Sequence, residues 1–325
     1  MPRRHSLSFL LAVLVLAPSA RTAVAGDDAP VVALLPGVVD PFYLTMRRGA
    51  EKAASEEHVE LVFQIPRAWN TADQVPILRA LVAKKPAVLV IAPVDKLQLI
   101  RPLKEAQGAG IKIITVDTYI DDGKYQDGKG PGDFPLSYIA SDNVEGGRLA
   151  ARALAKALGD KGTVYCENNK PGISSTDQRT QGFLEEMKAH PGITVLPTQY
   201  NEDDANRAAA NVAAVLARTP GLAGVFGVNT FSGTGAAEGV KRAGKSGKIK
   251  VVVFDAVPGI DKQIKSGLID IAIAQKAADI GYWGVKYAAA AARGKPVPAE
   301  RSTGFVVMDK TNIDQPDIHS YIYSN

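Results

Sequence analysis

Short apolar runs rich in valine and isoleucine recur along the chain, and the residues that follow them share one chemistry. Behind the first run stand Asp40, Phe42 and Tyr43; behind the second, Trp69 and Asn70; behind the fourth, Asp117 and Thr118. Later runs end on Asn229, Asp255 and Gln275, and Arg179 lies in SSTDQRTQGF at the predicted start of a helix, where it offers a planar donor fork. Flat rings beside fixed carboxylates, amides and a guanidinium make a recognition set. The C–H faces of a sugar ring pack on aromatics, while its hydroxyls both donate and accept. Each residue singly has an ordinary alternative: an aspartate after a strand is commonly a helix N-cap, and Phe42 or Tyr43 fits a core equally well. Taken together they favour a small neutral polyhydroxylated ligand, a sugar or polyol.

Residue types that catalyse are present but not grouped. His5, His58, His190 and His319 stand apart, and no nucleophile has an evident base. Ser174 and Ser175 read as caps for the helix carrying Arg179, and Cys166 has no partner thiol, so no intramolecular disulfide forms. The segment Gly239 to Ser246 satisfies G-x-x-x-x-G-K-S, yet a phosphate-binding loop follows a strand and opens a helix. Here the motif closes a predicted helix and leads into KIKVVVF, so Gly244 reads as a helix C-cap. Asp121, Asp122, Asp127 and Asp133 miss the EF-hand spacing and read as a solvated loop. No catalytic residue, metal site or cofactor is expected.

The elements that must position these residues follow from periodicity. The runs PVVALLPG, VELVFQIP, PAVLVIAP, IKIITVDT, GTVYC, ITVLPTQ, LAGVFGVN, KIKVVVFD and IDIAIAQ read as buried parallel strands. Amphipathic stretches between them, Phe42 to Glu57, Ala72 to Lys85, Leu97 to Gly108, Gly147 to Leu158 and Ala205 to Ala217, read as helices. Strand and helix alternate, which predicts right-handed βαβ units in doubly wound sheets. The series runs to about Ala140 and restarts at Gly162, so two similar α/β lobes are expected. The Gly-, Pro- and Asp-rich segment from Asp117 to Asp142 reads as an exposed loop near the cleft rim. Ligands of such sheets bind beyond the carboxyl ends of the strands, where the recognition set lies.

The N-terminus carries Arg3 and Arg4, the apolar run Leu7 to Pro18 and the small residues Ala23-Val24-Ala25. That pattern predicts a secretory signal peptide over residues 1–25, cleaved near Ala25. Its apolar run of about a dozen residues is short of the roughly 20 that span a bilayer. No cysteine follows that run until Cys166, so lipid attachment is not expected and a periplasmic location is. The chain has 38 basic and 34 acidic residues, and losing Arg3, Arg4 and Arg21 leaves 35 against 34. A nearly neutral chain without a basic run has no footprint for nucleic acid.

At this point the chain resembles the periplasmic sugar-binding proteins of ABC transporters, of the ribose-binding type, a fold shared with repressor effector domains. The resemblance spans the mature chain and is carried by DPFYLTMRRGAEKAA, IASDNVEGGRLAA, DQRTQGF, AGVFGVNT, VVVFDAVPG and AIAQKAADIGYWGV. It implies that Phe42 and Tyr43 occupy the places of a ring pair that sandwiches the sugar, and that Asp117, Arg179, Asn229, Asp255 and Gln275 bond its hydroxyls. Departures are Asp40 for a usual Asn, Thr118 for a usual Arg and Ala92 for a usual Asn, which implies a ligand other than ribose, richer in hydroxyl donors. Trp69 is expected to close the pocket from the side. The resemblance also implies a three-segment hinge near Ser141-Asp142, Gln275-Lys276 and Thr303-Gly304. The lobes would then be residues 26–141 plus 276–303 and residues 142–275 plus 304–325. A monomer that delivers ligand to ABC permease subunits in the membrane is expected. The rival readings are a sensor reporting to a membrane kinase or chemoreceptor, a repressor effector domain, and a hydrolase. The second lacks a DNA-binding helix pair and the third a nucleophile-base pair.

Overall fold

A computed structural model describes residues 29–324; the predicted signal peptide lies outside them. In chain order the elements are β1 (Val31–Leu35), α1 (Pro41–Glu57), β2 (Glu60–Phe63), α2 (Thr71–Ala83), β3 (Val88–Ile91), α3 (Ile100–Gly108), β4 (Lys112–Val116) and β5 (Tyr138–Ser141). There follow α4 (Asn143–Leu158), β6 (Gly162–Asn168), α5 (Ser174–Met187), β7 (Ile193–Val195), β8 (Gln199–Tyr200), α6 (Ala205–Arg218), β9 (Leu222–Gly227), α7 (Thr230–Arg242) and β10 (Lys250–Phe254). The chain ends with α8 (Ile260–Lys265), β11 (Ile271–Gln275), α9 (Ala277–Ala292), β12 (Glu300–Thr303), β13 (Phe305–Asp309) and α10 (Pro316–His319).

Two sheets form, in the orders β12-β5-β4-β3-β1-β2 and β13-β11-β10-β9-β6-β7, with β8 beside β6. All pairings are parallel except β11 with β13. The fold is therefore two α/β lobes, as the alternation of runs predicts. The chain passes between sheets after β5, after β11, where α9 packs on β3 and β4, and between β12 and β13.

Three differences from the sequence reading have local causes. The run ITVLPTQ splits into β7 and β8 around Pro197, which has no N–H for a ladder. Residues 117–142 are not one exposed loop: they contain β5, whose four residues are masked by the Gly- and Asp-rich stretch before it. Within that stretch Ile120 and Tyr125 are buried, and the Tyr125 hydroxyl accepts from Ile120 N at 3.0 Å and meets Thr115 Oγ1 at 3.1 Å. Helix α4 begins a turn before Gly147, because Asp142 accepts from Glu145 N at 3.0 Å and caps it there.

The helices that open onto the cleft are held by glycines at close crossings. A Cβ on Gly147 of α4 would lie 2.0 Å from Arg179 O, and one on Gly182 of α5 1.9 Å from Val144 O. The first lobe repeats the device, with Gly49 of α1 against Ala278 O and Gly281 of α9 against Met46 O. Gly147→Ala should therefore push α4 from α5 and displace Arg179. A loss of about 1–3 kcal/mol is expected, read as a lower melting temperature in calorimetry; an unchanged value contradicts the crossing.

Candidate functional site

Between the carboxyl edges of the two sheets lies a cleft with about 380 Å³ of empty space, part of it open to solvent. The first lobe contributes Asp40, Phe42, Tyr43, Trp69 and Asp117; the second contributes Arg179, Asn229, Asp255 and Gln275. Two residues of the recognition set do not line it: the Thr118 hydroxyl donates to Pro93 O at 2.8 Å and is buried in the first lobe, and Asn70 Oδ1 accepts from Asp73 N at 2.8 Å and caps α2. For Thr118 the cause is the left-handed backbone of Asp117 (φ 61°), which turns the strand end so that the carboxylate faces the cavity and the next side chain turns back. Asp255 ends β10 with the same turn (φ 75°).

Several of these residues cap a helix and line the cavity at once, so the two readings of a strand-end aspartate are compatible. Asp40 Oδ1 accepts from Tyr43 N at 2.9 Å and caps α1. Asn229 Oδ1 accepts from Ser232 N at 2.9 Å and caps α7, while its Nδ2 donates to Asp203 Oδ1 at 2.7 Å. Tyr43 donates its hydroxyl to Asp117 Oδ2 at 2.6 Å.

The rings are arranged otherwise than the resemblance implies. Phe42 and Tyr43 meet edge-on at 77° with centroids 4.9 Å apart, which leaves no slot for a sugar between them. Tyr43 instead lies near-parallel to Trp69, at 25° and 6.0 Å. Trp69 is fixed by its Nε1 bond to Val94 O at 3.0 Å and by the room over Gly37, where a Cβ would fall 1.9 Å from the indole.

Arg179 is buried and pre-aimed. Its Nε donates to Asn143 Oδ1 at 2.8 Å, its Nη1 to Val228 O at 2.9 Å, and its guanidinium carbon sits 3.9 Å from the Phe254 ring centroid. Ser174 and Ser175 are not the caps of its helix. Ile173 occupies that position without a side-chain bond, and Asp177 reaches back to accept from Gly172 N at 2.9 Å. Ser174 Oγ instead accepts from Tyr119 N of the other lobe at 3.2 Å, and Ser175 lines the cavity.

Sequence reasoning missed Asn169, Thr176, Asp203, Thr230 and Phe231, which also line the cavity. Asn169 follows β6 directly, so the strand-end rule would have found it had the run been followed past Cys166. Asp203 lies in a left-handed stretch (φ 63°) after the two-residue β8 and carries no periodic signal.

Four carboxylates, Asp40, Asp117, Asp203 and Asp255, line the cavity with Arg179 as the one basic side chain. Burial lifts the Asp117 carboxyl to about 6, against the pull of Arg179 and the Tyr43 hydroxyl. Burial also pushes Asp40 well above the usual carboxylate range, and the like charges of Asp255, Asp203 and Asp117 add to the rise. Asp203 is raised by burial too. The cavity thus offers many acceptors and few donors. Asp40→Asn keeps the cap, because asparagine caps as well as aspartate, and removes one repelling charge. The unliganded variant should melt about 2 °C or more above the parent at pH 7.5. Its advantage should shrink as pH falls and disappear below about pH 3, where the parent carboxyl is protonated in the folded and the unfolded state alike; equal melting at pH 7.5 would argue against the cost of that buried charge.

The features that suggested catalysis are occupied structurally. Gly244 (φ 64°) follows the end of α7, and Lys245 N donates to Val240 O at 3.0 Å, so the G-x-x-x-x-G-K-S segment is a helix C-cap leading into β10. Burial pushes the Cys166 thiol up to about 12, far from thiolate chemistry. In the acidic loop, Asp133 accepts from Asp127 N and Gly128 N and Asp121 from Gly132 N. Among the described residues no three His, Cys, Asp or Glu side chains gather as a metal site.

The periplasmic binding protein domain matches this chain over residues 31–296. The chain belongs to the periplasmic binding protein family. Members are two-lobed receptors rather than enzymes, and the family places the protein in the periplasm. An ABC transporter solute-binding protein from Agrobacterium vitis, solved with bound α-D-tagatopyranose, is 56% identical. It superposes with a TM-score of 0.90 over 91% of this chain and 100% of that one. A D-ribose/D-allose-binding protein of Pseudomonas aeruginosa is 31% identical over 80% of this chain and 82% of its own. The D-allose-binding periplasmic protein of Escherichia coli is 28% identical over 85% and 89%.

Proposed function

We propose that this receptor binds a monosaccharide in its ring form and passes it to the permease of an ABC importer. The observation that carries the reading is the acceptor-rich interlobe cavity: Asp40, Asp117, Asp203 and Asp255 converge on it with Arg179 and the Tyr43–Trp69 pair. A sugar supplies the hydroxyl donors that such carboxylates need, and an apolar ring face for the indole. The likeness to the α-D-tagatopyranose-bound receptor supports a hexose of that kind. Cleavage near Ala25 would release residues 26–325 into the periplasm as a monomer with no role in nucleic-acid binding.

Binding closes the lobes, residues 26–141 with 276–303 and residues 142–275 with 304–325, about the three passages between the sheets. A ligand favours closure only by touching both lobes, as a solute in this cavity does. The test is thermal unfolding of the chain from Gly26 across ketohexoses, aldohexoses, pentoses, polyols and amino acids. A ligand at a hundred times its dissociation constant adds about 2.7 kcal/mol. Stabilisation by D-tagatose or a stereochemical neighbour is expected; a response to amino acids alone would overturn the carbohydrate reading.

A further inference from the structure

The two strand-end aspartates are held in matching ways. Asp117 receives the hydroxyl of Tyr43, and Asp255 receives that of Tyr323 at 3.0 Å on Oδ1. The second tyrosine comes from the last residues of the chain. After α10 the tail packs Tyr321 and Ile322 against the second-lobe core, then crosses back. The Tyr323 ring is buried in the first-lobe core, 5.7 Å from Phe42, while Tyr323 N donates to Ala256 O at 2.7 Å. Ser324 is tied to α1: its N–H donates to Thr45 Oγ1 at 3.2 Å and its carbonyl accepts from Arg48 Nη2 at 3.0 Å. The last residues thus join the two lobes beside the cavity.

The Tyr323 oxygen also accepts from Gln275 N at 2.9 Å, and Gln275 Nε2 donates to Asp255 Oδ1 at 2.9 Å. With Oδ1 engaged by both neighbours, Asp255 Oδ2 has among the described residues only a long contact with Thr230 Oγ1, 3.4 Å. Gln275 Oε1 is buried without a partner among the same residues. Both are acceptors in residues that line the cavity, which a ligand hydroxyl would satisfy. We propose that Tyr323 is a positioning residue of the ligand site, orienting Asp255 and Gln275 from the C-terminal tail without touching the ligand itself.

The inference rests on the sugar-binding reading, and the experiment separates the two. Full mature chain, Tyr323→Phe, Asp255→Asn and the double variant are titrated calorimetrically with D-tagatose, or with the panel sugar that stabilises the parent most. The phenylalanine keeps the ring and removes one oxygen. Tyr323→Phe should bind about ten-fold or more weakly, and the loss in the double variant should fall short of the product of the single losses. A purely structural role predicts that the losses multiply. Binding by Tyr323→Phe equal to the parent, or losses that multiply, overturns the proposal. A parent that binds no sugar overturns the reading beneath it and the proposal with it. Should the variant not fold, tyrosine labelled with ¹³C at Cζ and placed at position 323 of the unsubstituted chain gives a second measurement. Its resonance should shift on saturation with the same sugar, and an unmoved resonance contradicts the proposal.

Discussion

Arg179→Ala should weaken sugar binding by about 100-fold or more, the largest loss expected of any single substitution in the cavity. The guanidinium is the one basic side chain among four lining carboxylates. Removing it takes away the cation whose charge favours the ionised Asp117 carboxylate and the charge-assisted donor it offers a bound hydroxyl. The same substitution strips partners from Asn143 Oδ1 and Val228 O and opens space over Phe254. A lower melting temperature of the unliganded protein should therefore accompany the loss. Calorimetric titration and unfolding of the same sample separate the two effects. Affinity within about three-fold of the parent would remove Arg179 from the site, since even one charged hydrogen bond contributes about 1.5–3 kcal/mol.

The second large effect is of pH. Hydroxyl donation from a sugar favours an ionised carboxylate, so binding must expel any proton that Asp117 holds. Burial raises that carboxyl to about 6, so affinity should be flat above pH 7 and fall as pH drops through 6. One coupled proton gives up to about ten-fold per unit, hence about ten-fold weaker binding at pH 5 than at pH 7.5. The unliganded fold responds in the opposite sense. Its raised carboxyl holds the proton more tightly than an unfolded chain with an ordinary value of about 3.9. This group's contribution to stability is therefore greatest below that value and is lost as pH rises through 6. Comparison with Asp117→Asn isolates both trends. An affinity independent of pH between 5 and 7.5 would show that no cavity carboxyl changes its proton on binding.

Much of this was legible in the sequence because the ends of buried parallel strands are easy to locate. Four-residue runs such as β3 were found by hydrophobicity alone, and the residue after each run had to face the cleft. That rule reached Asp117, Asn229, Asp255 and Gln275. It failed one residue further on, at Thr118, because a left-handed turn at Asp117 reverses the side-chain alternation that a strand would continue. It also missed Asp203 and Phe231, which reach the cavity from an irregular loop and from the first turn of α7. Tyr323 was out of reach for another reason. Its place beside Asp255 depends on a tail that crosses back between lobes, and neither spacing nor periodicity encodes such a return.

The edge-on pairing of Phe42 and Tyr43 gives Trp69 more weight than its residue type alone implied. The chain has two tryptophans; Trp69 lines the cavity, while Trp283 packs on α9 beside Tyr282 and Tyr287. Tryptophan emission therefore reports on the cleft directly. A sugar held between the lobes is tested most directly by titrating the chain from Gly26 with D-tagatose and the other panel sugars, followed by that emission. A saturable one-site change is expected for at least one sugar, lost in Trp69→Phe while calorimetry still detects binding. No saturable change with any sugar, or a change that persists without Trp69, would contradict a sugar held between the lobes at this site.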